Sequence, residues 1–164
     1  MGVLTDYFRA PNSAAVVQSL EEADGGSPLS AGPPRFEGVD AKGVDPAVVL
    51  GQLIAAIRGT AWRVGLVEET TVWPTSSDSG PEGPESEDDP WATGPWVSEL
   101  SPQVRDTLAG VRDFEVPAVV ARWVQAEELE GVSAESMRPL ADELFRLAGR
   151  ARDAEEQLYC WMSL

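Results

Sequence analysis

QLYCWMSL, residues 157–164, is the stretch whose reading decides the fold. It holds no Gly, Pro, Asn or Asp to signal a turn, and it is too apolar for a segment left in water. Leu158 to Met162 run without a polar break, so an extended backbone here would present greasy side chains on both sides. Gln157–Met162 therefore reads as a strand buried on both faces. GVLTDYFRA, residues 2–10, offers the neighbour that such a strand needs. It alternates and is rich in β-branched and aromatic side chains, which gives a strand over residues 2–9 with Pro11 as its stop. The two segments are expected to meet in a shared sheet.

Helical signals fill the interval. Asn12 is placed to cap a helix over 13–23, with Val16, Val17 and Leu20 on one face and DGG at 24–26 ending it. Residues 25–38 form a Gly/Pro/Ser-rich loop. In GVDPAVVLGQLIAAIRG, residues 43–59, Asp45 caps, Pro46 takes the first helical position and Gly59 closes the helix. Val49, Leu50, Leu53, Ile54 and Ile57 share its inner face. TAWRVGLVEETTVWP, residues 60–74, reads as one strand or as a hairpin about Glu68–Glu69. Ser101–Pro102 opens a helix to about Gly110, and Pro117 opens another to about Glu130. The last helix spans SAESMRPLADELFRLAGRARDAEE, with Met137, Leu140, Leu144, Leu147, Ala148 and Ala151 spaced three or four apart. Pro139 must lie in its first turn or kink it. Asp142 and Arg146 stand at i,i+4 and are expected to pair. The sum is an α+β fold: a single domain over 1–164 with one mixed β-sheet, strands from both ends of the chain, and about five covering helices.

WPTSSDSGPEGPESEDDPWATGPW, residues 73–96, interrupts this pattern with six carboxylates, no basic residue, and prolines at 74, 81, 84, 90 and 95. With nothing to bury, residues 75–95 are expected to be an acidic loop in water. ESEDDP at 85–90 lacks the alternate ligands and sharp glycine turn of a calcium loop, so no metal site is read there.

Twelve basic residues face 28 acidic ones, a net charge of -16. That field repels phosphate backbones and anionic lipid, so neither nucleic acid nor membrane is an expected partner, whereas a basic protein is. No apolar run reaches the roughly 20 residues of a membrane helix. The first residues carry Asp6 and Pro11 and no basic n-region, and Asp6 stands where a myristoylation site needs Ser or Thr; the expected compartment is the cytoplasm. Lys42 is the single lysine, and the wealth of Ala, Gly, Val and Arg fits a GC-rich bacterial genome. There is no histidine, which removes His-based triads and His-ligated zinc. No glycine-rich nucleotide loop is present, and no cofactor is expected. The one cysteine, Cys160, sits in an apolar run and reads as a buried thiol.

Candidate site residues are therefore few. Asp6, Asp40, Asp45, Glu68 and Glu69 flank strand or helix ends, and a pair of them across a cleft could hydrolyse a glycoside without histidine. More simply, each is a cap or a surface charge. Trp73, Trp91 and Trp96 gather where the acidic loop leaves and rejoins the body, either as an apolar patch for a basic peptide or as anchors for the loop. Tyr7 and Arg9, with a tryptophan, could line a small-molecule site. Trp62, Trp123 and Trp161 fit core positions.

MGVLTDYFRAP, together with LADELFRLAGRARDAEEQLYCWMSL, resembles the YfbM-like family of uncharacterised bacterial proteins. Members open with Met-Gly and an aromatic strand, and close with a helix of pattern L-x2-L/Y-x2-A followed by an apolar strand. GVDAKGVDPAVVLGQLIAAIRGTAW is similar to the family's aspartate-led helix, without the Trp and His that members carry there. The resemblance covers about half the chain and implies an α+β fold. It carries no activity across; Tyr7, Phe8 and Arg9 occupy the matching N-terminal positions. The reading these features favour is a non-catalytic protein-binding or immunity-type adaptor. A hydrolase working through carboxylates and arginine, or a small-molecule binder, are the alternatives.

Overall fold

The computed structural model describes residues 2–30 and 32–164. Five strands form one open sheet in the order β2-β1-β5-β4-β3: β1 Leu4–Ala10, β2 Gly38–Asp40, β3 Glu69–Trp73, β4 Trp96–Leu100 and β5 Gln157–Ser163. β5 lies at the centre beside β1, with Tyr7 opposite Cys160 and Phe8 opposite Tyr159. The fold is α+β, and the first and last apolar segments are neighbours.

Every pairing is antiparallel, where a mixed sheet was expected. The double-sided burial of β5 needs no parallel neighbour. Here it arises instead because an antiparallel sheet is covered on both sides. On one face Tyr7, Leu158 and Cys160 join the main core with α2 (Gly51–Arg58), α4 (Pro102–Ala109), α5 (Val116–Trp123) and α6 (Ala134–Asp153). On the other face Phe8, Val97, Tyr159 and Trp161 pack against Val16 and Leu20 of α1 (Ser13–Glu22), with Leu29 and Phe36 from the following loop. Phe8 stacks between Phe36 and Tyr159, ring centroids 5.5 and 5.6 Å away.

Capping follows the sequence. The Asn12 side chain accepts from Ala15 N–H, Ser101 from Val104 N–H and Ser133 from Ser136 N–H. Asp45 accepts from both Val48 and Val49 N–H, after which Pro46–Leu50 winds as a π-helix into α2, and Gly59 closes it in the left-handed region. Indole N–H groups are satisfied across the core: Trp123 donates to the Val49 carbonyl and Trp161 to the Gly25 carbonyl, both at 2.9 Å.

Several local expectations fail for identifiable reasons. Residues 60–68 are irregular, because Trp62 turns back to donate to the Ala47 carbonyl and Val64 stands out in solvent; only Glu69–Trp73 is strand. The stretch before Ser101 forms β4, and the loop at 25–38 ends in β2; both are too short to show a period. The helix from Pro117 ends at Trp123 and is followed by a 3-10 turn, Glu127–Leu129. Pro139 lies inside α6, beyond its first turn. Asp142 pairs with Arg138 on the preceding turn, not with Arg146. Gly38 is required by close approach: a Cβ there would lie 2.5 Å from the Tyr7 carbonyl oxygen.

Candidate functional site

The residues singled out in the sequence do not converge. Tyr7 is fully buried, and its hydroxyl donates to the Val44 carbonyl at 2.6 Å. Burial pushes its phenol pKa well up, with Cys160 beside it adding to the effect. Arg9, two residues on, is the penultimate residue of β1 and is half-buried. Trp73 lies on β3, and the intervening β5 and β4 put it three strand spacings from β1, roughly 14 Å. Tyr7, closed off in the core, and Trp73, three strands away, are not neighbours.

The three tryptophans of the loop roots are also separated. Trp73 pairs with Val97 and packs on the α1 side of the sheet, its indole near Gly25. Trp96 is the next residue along β4 from Val97, so it points to the opposite face, opposite Met162. Trp91 belongs to a one-turn helix, α3 (Pro90–Thr93), capped by Asp89, and its indole donates to the Ser76 hydroxyl at 3.3 Å. That bond and the Ser79–Asp89 hydrogen bond (2.8 Å) staple the two limbs of the acidic loop together. Beyond the staple Glu82, Glu85, Glu87 and Asp88 are exposed. The loop is thus an arm, rooted by prolines 74 and 95, each after a cis peptide bond.

Away from the arm, arginines pair with Glu22, Glu37, Asp106, Glu115, Asp142, Asp153 and Glu156. Arg9 bridges Glu37 and Glu156, and Glu37 is shared with Arg150. Hydrogen bonding to Arg9, and then to Arg150, holds the Glu37 carboxyl below its ordinary range, and Glu37 raises Arg9 in turn. Arg105 donates to the Glu156 carbonyl at 2.9 Å, so two arginines fix the chain where it enters β5. This clamp joins residues far apart in sequence, and no local pattern announces it. On the arm, by contrast, none of the carboxylates between Asp78 and Asp89 takes part in an ion pair with another described residue.

The candidate catalytic carboxylates have structural partners. Asp45 caps the π-helical turn that leads into α2, Asp40 accepts from Lys42 N–H, and Glu69 accepts from the Ser98 hydroxyl at 2.9 Å. Glu68 is exposed, its carbonyl accepting from Ser101 N–H. Asp6 accepts from Ser27 and stands opposite Asp40 in the β1–β2 pair. Partial burial raises its pKa; the Ser27 hydroxyl opposes this and the Asp40 charge adds to it. Cys160 is buried, its thiol pKa raised by loss of solvent. Among the described residues, no group of three or more Cys, Asp or Glu side chains could hold a metal ion.

One feature escaped the sequence. A cleft of about 520 Å³ opens between α2, α4 and α5, lined by Ile57, Thr107, Val111, Val119 and Arg122, with Phe114 on its rim. Phe114 is 73% exposed, with the Arg112 guanidinium 4.7 Å from its ring centre. Its signal was a lone aromatic in RDFEVP, between charged residues and ahead of a helix-opening proline. Of the charged residues that line the cleft, Asp106 pairs with Arg105 and Glu115 with Arg112, while Arg122 donates to the Ala56 carbonyl.

No family model, no curated protein and no solved structure matches this chain.

Proposed function

We propose that this protein is a non-catalytic binding module for a basic protein partner, working in the cytoplasm as an adaptor or an antagonist of that partner. One observation carries the reading: the acidic arm gathers six carboxylates within residues 78–89, none of them in an ion pair within the described chain. What sets the arm apart is density: six carboxylates fall within residues 78–89 with no basic residue among them. Those of the arm are left to the solvent, where they raise the local concentration of cations and steer a basic surface towards the molecule. No helix among the described residues is long and apolar enough to cross a membrane.

The test compares the protein with a variant carrying Glu82→Gln, Glu85→Gln, Glu87→Gln and Asp88→Asn. A control variant loses as many charges from the helical side, through Glu127→Gln, Glu128→Gln, Glu130→Gln and Glu135→Gln. Binding of a labelled oligolysine peptide is measured at roughly 0.05 M and 1 M salt. The reading expects binding that the arm substitutions weaken more than the control set does, and that high salt abolishes. Equal loss in both variants, or binding indifferent to salt, overturns it.

A further inference from the structure

We infer that β3 is a docking edge, onto which an extended lysine- or arginine-bearing segment of a partner protein adds as a sixth strand. This rests on the basic-partner reading above and specifies how the partner is held. The sheet ends in β2 on one side and β3 on the other. β2 is three residues long, and α6 packs against it. Among the described residues β3 pairs with β4 alone; α1 packs against it, with Val72 and Trp73 in the shared cluster, while Glu69–Thr71 stay exposed.

The direction of its free backbone groups follows from the ladder. Ser101 N–H donates to the Glu68 carbonyl at 2.9 Å, so Glu68 and Ser101 face each other as a hydrogen-bonded pair. Alternation then makes Thr70 and Glu99 the next such pair, and turns the N–H and C=O of Glu69 and Thr71 away from β4. Among the described residues, no backbone group from outside the sheet bonds to Glu69, Thr70 or Thr71. The side chains of all three are exposed although they alternate between the faces, so neither layer covers the sheet there.

Charge selects the occupant. Glu68 and Glu69 flank the edge, and the acidic arm leaves from its far end at Trp73. A second copy of this chain would bring another net charge of -16, and would set glutamates near glutamates. Like charges across paired strands are destabilising. A basic strand meets the opposite case: main-chain bonds set its register while the carboxylates attract its alternate side chains. The register shift between Thr71 and Trp73 ends the regular edge, so the added ladder is short. Charge therefore has to supply much of the affinity.

The test uses the full chain and a soluble peptide alternating lysine and threonine. Binding is followed by fluorescence anisotropy, and amide exchange by NMR. Two further peptides carry N-methyl groups on one or the other set of alternate residues, which removes the ladder donors of one side at a time. The expected result is slower exchange of the Glu69 and Thr71 amides by about tenfold, with Thr70 unchanged. One N-methylated peptide should bind at least about tenfold more weakly than its parent. Thr71→Pro removes one outward donor and leaves the β4 side intact, so it should weaken the parent peptide as well. If both methylated peptides bind like the parent and no amide gains protection, strand addition is overturned while the basic-partner reading stands. If the parent does not bind even at low salt, both fall. A self-associated protein with Glu69 and Thr71 already protected overturns the choice of occupant.

Discussion

The Tyr7 hydroxyl donates to the Val44 carbonyl in a fully buried bond that ties the second strand of the sheet to the loop launching α2. The same side chain was a candidate ligand contact, and the two roles predict different things. Tyr7→Phe keeps the ring and strands the carbonyl, so it should cost about 1–3 kcal/mol. Urea unfolding should show a lower midpoint at unchanged slope. An unchanged midpoint would mean that water satisfies Val44 and that the bond is dispensable.

Acid should act on Glu37 and Asp6 with opposite signs. Glu37 titrates below its ordinary value of 4.5 because Arg9 and Arg150 hold it ionised. Its contribution is complete above that value and is lost as pH falls through the lower, folded value. Glu37 is more than a third exposed, so solvent screening limits the effect to at most about 1 kcal/mol. Asp6 is raised above 3.8 by burial and by Asp40, so the folded state takes up its proton first and gains stability as pH falls through the raised value towards 3.8. Glu37→Gln should therefore flatten the acid limb of the stability profile. Asp6→Asn should raise stability at neutral pH and remove the opposing slope. Denaturation series from neutral pH to about pH 3 measure both. A parallel shift of the two variants would refute the assignment.

What could be read in the sequence, and what could not, divides by range. The caps at Asn12 and Asp45 and the helix opening at Ser101–Pro102 are local chemistry, visible within four residues, and all three hold. The long helix showed its apolar stripe, and β5 showed its double-sided burial. β4 hid because five residues next to a proline-rich stretch carry too little period, and β2 hid because three carry none. The candidate site was less legible still. Trp73 and Trp96 are close in space but on opposite faces, a matter of strand parity that shows only once β4 is recognised. The Arg9–Glu37–Arg150–Glu156 clamp and the open edge of β3 depend on strand order, which no short motif encodes.

Cys160 should be silent in the native state. It is fully buried between Tyr7 and the helical layer, and desolvation raises its thiol pKa, so little thiolate forms and no reagent reaches it. Labelling with an aromatic disulfide in native buffer should be slow, and should rise with urea along the same curve as the loss of tryptophan fluorescence. Rapid labelling without denaturant would show that the β1–β5 seam opens locally.

Removing the arm tests whether it belongs to the folding unit. Deleting residues 76–89 shortens the connection between Trp73 and Trp96 from 22 residues to 8 and takes out six carboxylates, leaving a net charge of -10. The shorter loop favours folding by about 0.9 kcal/mol. Against this, the Trp91–Ser76 hydrogen bond and the Asp89 cap of α3 are lost, each exposed or half-exposed and together worth about 1–2 kcal/mol. The terms nearly cancel, because the arm buries no large side chain beyond its roots. Thermal unfolding should stay cooperative, with Tm displaced by no more than about 5 °C. A drop of about 15 °C, or a broadened transition, would show that the arm is part of the packed body.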